Sequence, residues 1–263
     1  MMSETAADIL LRSDENGVAT LTLNRVEARN ALSMGLMAAL IEELKELARD
    51  PSVKVVVLAA NGPAFCAGHD LRELQSDPTV EAYEAVFQRC AQLMLTITRL
   101  SKPVIAKVHA MATAAGCQLV ASCDLAVAAD CAKFATPGVN IGLFCSTPMV
   151  ALTRAIGRKA AMEMLLTGLP IHAVEAERIG LVNRVVNPIQ LDRAVEELAS
   201  TIAAKSPYTL SVGKEAFYRQ AEMGVDEAYA YTSAVMVKNM LAQDAAEGID
   251  AFINKRSPVW RGC

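Results

Sequence analysis

Two stretches of this chain place runs of small residues where backbone N–H groups can do chemistry. They are Pro63-Ala64-Phe65-Cys66-Ala67-Gly68-His69-Asp70-Leu71 and His109-Ala110-Met111-Ala112-Thr113-Ala114-Ala115-Gly116-Cys117-Gln118. Each follows an apolar, β-rich run, residues 53–60 and 103–108, and each precedes a segment of helical character. A small-residue turn that opens a helix leaves N–H groups unpaired and facing outward. Two such turns facing one another can hold one carbonyl oxygen between two donors, which suits chemistry that draws negative charge onto a thioester oxygen. An acid or base would be most useful immediately after Cys117, yet that position is Gln118.

The elements that must position these turns read as an α/β core followed by helices. Residues 17–24 alternate as a strand, and 53–60 form a continuous apolar strand of the doubly buried kind. Ser33 is placed to N-cap a helix running to Asp50-Pro51, with Leu36, Leu40, Leu44 and Leu47 on one stripe. Residues 81–100 form a long helix with Tyr83, Val86, Phe87, Cys90, Leu93, Met94 and Ile97 at helical spacing, stopped before Lys102-Pro103. Short strands at 103–108, 125–128 and 133–136 surround a helix at 116–122, and the strand–turn–helix unit recurs about every fifty residues. That recurrence predicts a right-handed wound α/β core. Helices are expected at 148–156, 159–166 and 174–179, with a last strand at 182–186. From Ile189 onward the pattern is helical, at 191–204, 207–222, 226–241 and 245–254. The chain divides on this reading into a core at 1–190 and a helical layer at 191–263. Met223, Met236 and Met240 in that layer either face another subunit or close the core, and the sequence leaves both open.

Bulk properties bound the function. The 263 residues are 53% hydrophobic and 21% charged, a globular balance, and a net charge of -4 offers no general attraction to nucleic acid. No apolar run is long enough to span a bilayer, and the first eleven residues lack a basic region followed by an apolar one, so a soluble, cytoplasmic protein is expected. Seven cysteines without a C-x-x-C pair argue for reduced thiols, with Cys90, Cys117, Cys123 and Cys131 in the core. Three histidines without metal-ligand spacing argue against a dedicated metal site.

The chain resembles the crotonase superfamily, the enoyl-CoA hydratase/isomerase family. The resemblance runs from about Ala19 to Trp260 on ordered motifs. These include Asn24-Arg25 before Asn30-Ala31-Leu32-Ser33, Ala64-Phe65-Cys66-Ala67-Gly68-His69-Asp70-Leu71, Lys102-Pro103-Val104-Ile105-Ala106 and Gly116-Cys117-Gln118-Leu119 before Cys123-Asp124. Others are Ala132-Lys133-Phe134-Ala135-Thr136-Pro137, Leu166-Thr167-Gly168, Ala176-Glu177-Arg178-Ile179-Gly180-Leu181-Val182 and Glu247-Gly248-Ile249 before Ala251-Phe252. It implies a spiral of β-β-α turns, a C-terminal helical trimerisation layer, and a homotrimer or homohexamer. It implies no separate cofactor, coenzyme A entering as the thioester of a substrate or ligand in fatty-acid or short acyl-CoA metabolism.

Carried over residue by residue, the resemblance places the oxyanion donors at the backbone N–H groups of His69 and Ala115. Ala115 stands where the family has glycine, so its Cβ narrows the acyl pocket and requires a negative φ. Coenzyme A is expected along Arg25 to Ala28 and along Cys66, Ala67, His69, Asp70, Leu71 and Arg72, with Lys255 and Arg256 as phosphate contacts from a neighbouring subunit. Two hydratase glutamates correspond to Gln118 and Gly138, and the isomerase acid corresponds to Ser146. None of these three ionises as a carboxylate, and losing a positioned acid or base typically costs about 10²–10⁴-fold. Restoring a carboxylate at Gly138 is the riskier change, because glycine there is expected to hold a backbone angle closed to other residues.

Two functional readings therefore stand. One is an enoyl-CoA hydratase/isomerase family lyase with weak or atypical activity; the other is a non-catalytic acyl-CoA-binding or regulatory protein. His69 has a side chain suited to acid–base work beside its own N–H donor, although local hydrogen bonding would also account for it. Cys145 and Ser146 are nucleophiles in principle, without a visible partner base. Asp70 and Asp124 are expected to brace turns. RNA binding is disfavoured because the helix over 33–49 offers only Lys45 and Arg49.

Overall fold

The computed structural model describes residues 9–263. Two sheets run through the core. The larger has six strands in the order β1-β2-β3-β5-β7-β10: β1 is Leu10–Glu15, β2 Val18–Leu23, β3 Val55–Ala60, β5 Val104–Val108, β7 Leu125–Ala129 and β10 Arg184–Val186. The smaller is β4-β6-β8-β9: Ala64–Cys66, Met111–Thr113, Lys133–Ala135 and Ile171–His172. The β1–β2 and β8–β9 pairs are antiparallel, and the other pairs are parallel.

This is the spiral the motifs imply. Each turn gives one strand to each sheet and then a helix: β3, β4 and α3 (Val80–Arg99); β5, β6 and α4 (Ala115–Ser122); β7, β8 and α5 (Ser146–Ala155). The period is not the uniform fifty residues expected. Successive turns begin at Val55, Val104 and Leu125, because the first carries twenty-residue α3 and the second only eight-residue α4. Three-residue strands such as β4 and β6 carry too few side chains for a period-two pattern, so they read in the sequence only as small-residue turns.

The helix α1 (Met34–Arg49) is N-capped by Ser33, whose Oγ accepts from the Leu36 N–H at 3.2 Å, and its leucine stripe is fully buried. The remaining helices are α2 (Leu71–Ser76), α6 (Arg158–Thr167), α7 (Ala173–Arg178), α8 (Leu191–Ala203), α9 (Pro207–Gln220), α10 (Val225–Met240) and α11 (Gln243–Ile253). Leu191, Val195, Ala199 and Ala203 of α8 pack on Val55, Val57, Ile105, Val127 and Ala129 of the large sheet. Helix α8 thus covers a face of the sheet, whereas Tyr229, Met236, Met240 and Phe252 of α10 and α11 stay exposed.

One polar cluster ties the helical layer to the spiral. Asp124, just beyond α4, accepts from the Val104 N–H (2.7 Å), Lys214 Nζ (2.6 Å) and the Tyr218 hydroxyl (2.8 Å). Lys214 also donates to the carbonyls of Ile97 and Lys102. Asp124 is thus a brace, as the sequence suggested. Cys90, Cys117 and Cys123 are buried, but Cys131 is exposed in the turn between β7 and β8 and is not a core residue.

Candidate active site

The first turn takes its shape from a short parallel bridge. The Leu32 N–H donates to the Gly68 carbonyl (2.7 Å) and the Asp70 N–H to the Leu32 carbonyl (3.4 Å). In a parallel bridge of this kind the residue between those partners, His69, directs its own N–H to the opposite edge. That N–H meets no backbone acceptor among the described residues. The second turn is the start of α4. Ala114 N–H donates to the Ala135 carbonyl, and intrahelical bonding begins with Gln118 N–H to Ala114 carbonyl at 3.0 Å. The Ala115 N–H precedes that bond and also lacks a backbone acceptor among the described residues.

The two turns are adjacent. A Cβ placed on Gly68 would lie 2.9 Å from the Ala114 Cβ and 3.4 Å from the Ala115 nitrogen, so the Ala115 N–H sits one residue from the His69 N–H. Ala115 occupies the first position of α4, with the negative φ expected of it; the unusual angle falls one residue earlier. Ala114 holds φ 51° and ψ -119°, a region open mainly to glycine. Sequence reading missed this because an alanine there carries no signal of strain.

Around the donors the side chains are largely apolar. The His69 ring meets Phe87 of α3 edge to face, with centroids 5.5 Å apart, and neither ring nitrogen has a hydrogen-bond partner. Burial lowers the His69 pKa from its ordinary value, opposed in part by the Leu32 carbonyl. Gln118 is 5% exposed, and Cys90 Sγ, one turn along α3 from Phe87, lies 3.8 Å from its Oε1. Burial pushes the thiols of Cys66, Cys90 and Cys117 up to about 12, which makes them inert at neutral pH. The positions of Phe87 and Cys90 beside this group were legible only as part of a helical stripe.

Gly138 and Ser146 belong to the loop and helix that pack beside α4. The Gly138 N–H donates to Cys145 Sγ at 3.3 Å, and a Cβ on Gly138 would fall 2.6 Å from the Leu143 carbonyl oxygen and 2.9 Å from Cys145 Sγ. The backbone angle expected to demand glycine at Gly138 is absent: its φ is not positive, and close packing against 143–145 is what demands glycine. The Cys145 thiol is raised by burial, and the Ser146 hydroxyl donates to the Phe144 carbonyl (3.3 Å), so neither has a base beside it.

The expected phosphate contacts divide into committed and uncommitted cations. Arg25 donates to the Ala31 carbonyl (2.7 Å) and to Asp70 Oδ2 (3.1 Å), bracing the 25–31 segment that carries Ala28. Asp70 also N-caps α2, accepting from the Arg72 and Glu73 N–H groups, which is the bracing role expected of it. The Ala67 N–H bonds the Arg29 carbonyl (3.1 Å), so Arg25, Ala28, Cys66, Ala67, Asp70 and Leu71 gather beside the donors. Arg72 is exposed at the start of α2. Arg256 is held by Glu247 and Asp250, while Lys255 is exposed beyond the end of α11 and joins none of these residues within the chain. Among the described residues no group of His, Cys, Asp and Glu is arranged to hold a metal ion, and no helix is long and apolar enough to cross a membrane.

Residues 13–263 match the family model for enoyl-CoA hydratase/isomerase. A Xenopus laevis protein named "enoyl-CoA hydratase domain-containing protein 3, mitochondrial" is 47% identical over 94% of this chain and 84% of its own length. A crystal structure described as an enoyl-CoA hydratase of Mycobacterium smegmatis superposes with a TM-score of 0.94 at 55% identity, covering 96% of this chain and 98% of that one. The crystal structure of human enoyl Coenzyme A hydratase domain-containing protein 3 gives 0.93 at 45% identity, covering 96% and 100%. The superfamily resemblance and the α/β spiral expected from the motifs are thereby borne out. The expectation of a cytoplasmic protein is overturned: vertebrate relatives at 43–47% identity carry names that place them in mitochondria.

Proposed function

Because the chain belongs to the enoyl-CoA hydratase/isomerase family, we propose that it binds acyl-CoA thioesters and polarises their carbonyl between the His69 and Ala115 N–H groups. The observation that carries this reading is the adjacency of two backbone donors without backbone acceptors, one at the N-terminus of α4. Such donors act on the oxygen that gains charge in the transition state, in a site whose apolar walls keep the field strong. No separate cofactor enters the reading. The thioester belongs to fatty-acid or short acyl-CoA metabolism, with the coenzyme A moiety lying along residues 25–28 and 66–72.

The activity proposed is that of an atypical lyase or isomerase, since Gln118 and Gly138 stand where the family's acid–base pair would be. A carboxamide orients a water molecule but does not take its proton. A second reading, a non-catalytic acyl-CoA-binding or regulatory protein, is favoured by one observation: the packing at Gly138 leaves no space for any side chain. We further propose that the exposed apolar faces of α10 and α11 assemble the chain into a homotrimer or homohexamer, the layer beginning after α8. A panel of acyl-CoA thioesters, followed by mass spectrometry for hydration, isomerisation, hydrolysis and decarboxylation, separates the readings. Turnover supports the enzyme; tight binding without turnover supports the binding protein; no binding refutes both.

A further inference from the structure

We propose that the His69 imidazole is this site's proton-transfer group, taking a hydrogen from the carbon α to the thioester carbonyl and returning it. The inference rests on the acyl-CoA reading above and assigns the step that reading leaves without a residue.

Three features of the site lead to it. Neither buried ring nitrogen of His69 has a well-formed hydrogen bond, the Leu32 carbonyl being the one polar group that acts on the ring, and only two other side-chain atoms among the described residues are buried without a partner, Asn30 Oδ1 and Thr136 Oγ1. A neutral imidazole offers one donor and one acceptor, and leaving both unmade opposes folding unless an incoming group satisfies them. Second, the ring belongs to the residue whose N–H the reading above assigns to the thioester oxygen, and it stands on Phe87, one turn of α3 from the Cys90 that meets Gln118. The imidazole and the carboxamide thus border the same helical turn. Third, the other groups there are unsuited to the task. Cys90 from α3, Cys66 from β4 and Cys117 from α4 hold their protons, Asp70 is engaged by Arg25 and the start of α2, and Gln118 does not ionise. No charged group is coupled to the ring; burial alone keeps it neutral near pH 7, the form that acts as a base.

One base without a partner acid selects one-base chemistry. The α C–H bond breaks and its proton goes to the imidazole. The electron pair enters the C=C bond of an enolate, whose oxygen is held by the His69 and Ala115 N–H groups. Return of the proton to the same carbon is exchange with solvent; return to the γ-carbon of a 3-enoyl thioester moves the double bond into conjugation. Both are balanced without a further reactant. Hydration needs a held water and a second proton position, and Gln118 supplies only the first. The substrate class assigned is therefore acyl-CoA with an acidic α-hydrogen, 3-enoyl thioesters foremost.

The test uses the full chain in D₂O. But-3-enoyl-CoA is followed by NMR and mass spectrometry for α-deuteration and isomerisation, and butyryl-CoA binding is measured by calorimetry. His69→Gln and His69→Ala keep the backbone N–H. Both are expected to lose exchange 100-fold or more with butyryl-CoA affinity within threefold of the parent, and added imidazole should restore part of the rate to His69→Ala alone. The parent's exchange rate should rise with pH through one group titrating below the usual imidazole range. Butyryl-CoA binding with no exchange, or with exchange unchanged in a folded variant, overturns this inference and leaves the thioester site standing. Failure of the parent to bind butyryl-CoA overturns both. Should one variant not fold, the other and the parent's pH profile still decide.

Discussion

Replacing Ala114 by glycine should stabilise the protein, although it removes a methyl group from a packed site. An L-residue held at φ 51° and ψ -119° costs about 1–3 kcal/mol, and glycine relieves most of that. Two terms oppose the gain. Glycine adds freedom to the unfolded chain, about 0.4–1 kcal/mol, and the lost, partly buried methyl forfeits at most about 0.8 kcal/mol. The balance is a gain of about 1 kcal/mol, or roughly 2 °C in Tm for a chain of this size. Urea unfolding followed by far-UV circular dichroism, at one fixed protein concentration, measures it; the midpoint should rise without a change in slope. Ala121→Gly, the same chemical change two turns along α4 at ordinary helical angles, is the control and should lose about 1 kcal/mol. A loss of stability in Ala114→Gly comparable to that control refutes the assignment of strain. The Ala115 N–H is untouched by the change, so acyl-CoA binding should persist.

Gln118→Glu is nearly isosteric and should fold; a tenfold gain in crotonyl-CoA hydration, about 1.4 kcal/mol off the barrier, is expected if the carboxamide already holds water, and an unchanged rate in a folded variant refutes that role. Its carboxyl should titrate high because burial disfavours the charge. Gly138→Glu must displace Leu143 and Cys145 and should lose about 1–3 kcal/mol in thermal unfolding, whatever it does to rate. The His69 pKa is lower folded than unfolded, so the unfolded state binds more protons as pH falls through about 6.5, and stability should decline from there downward until the folded value is passed; His69→Gln should flatten that slope in a pH series of melts. Sedimentation at micromolar concentration should show a species larger than the 28.1 kDa chain, since Tyr229, Met236, Met240 and Phe252 leave a broad apolar surface bare; a monomer alone refutes the assembly.

The helices were legible because their periodicity is long and their stops are explicit. The 33–49, 81–100 and 191–254 patterns reappear within a residue or two as α1, α3 and the last four helices. Strands β8 and β10 were legible although each has three residues, but β4 and β6 lie inside the small-residue turns and were not, and with them went the second sheet, which aligns those turns. At the candidate site, motif order singled out the turns of His69 and Ala115, and the structure sets those turns side by side, because their placement follows the chain's path. Side-chain surroundings were a different matter. That Arg25 braces Ala31 and Asp70, that Cys145 fills the space at Gly138, and that Phe87 covers the imidazole depend on contacts between residues far apart in sequence. Local pattern carries no record of such contacts.

The Asp124 brace has a consequence for how the protein is made. Its carboxylate lies just beyond the end of α4, yet two of its three partners, Lys214 and Tyr218, lie about ninety residues downstream. A ribosome adding about 5–20 residues per second leaves that corner incomplete for roughly 5–20 s after Asp124 is joined. During that interval the Asp124 carboxylate has only the Val104 N–H of its three partners. The junction of β5, the end of α3 and the helical layer is therefore among the last features of the nascent chain to be closed, and a product released before residue 214 would carry every motif of the turns without it.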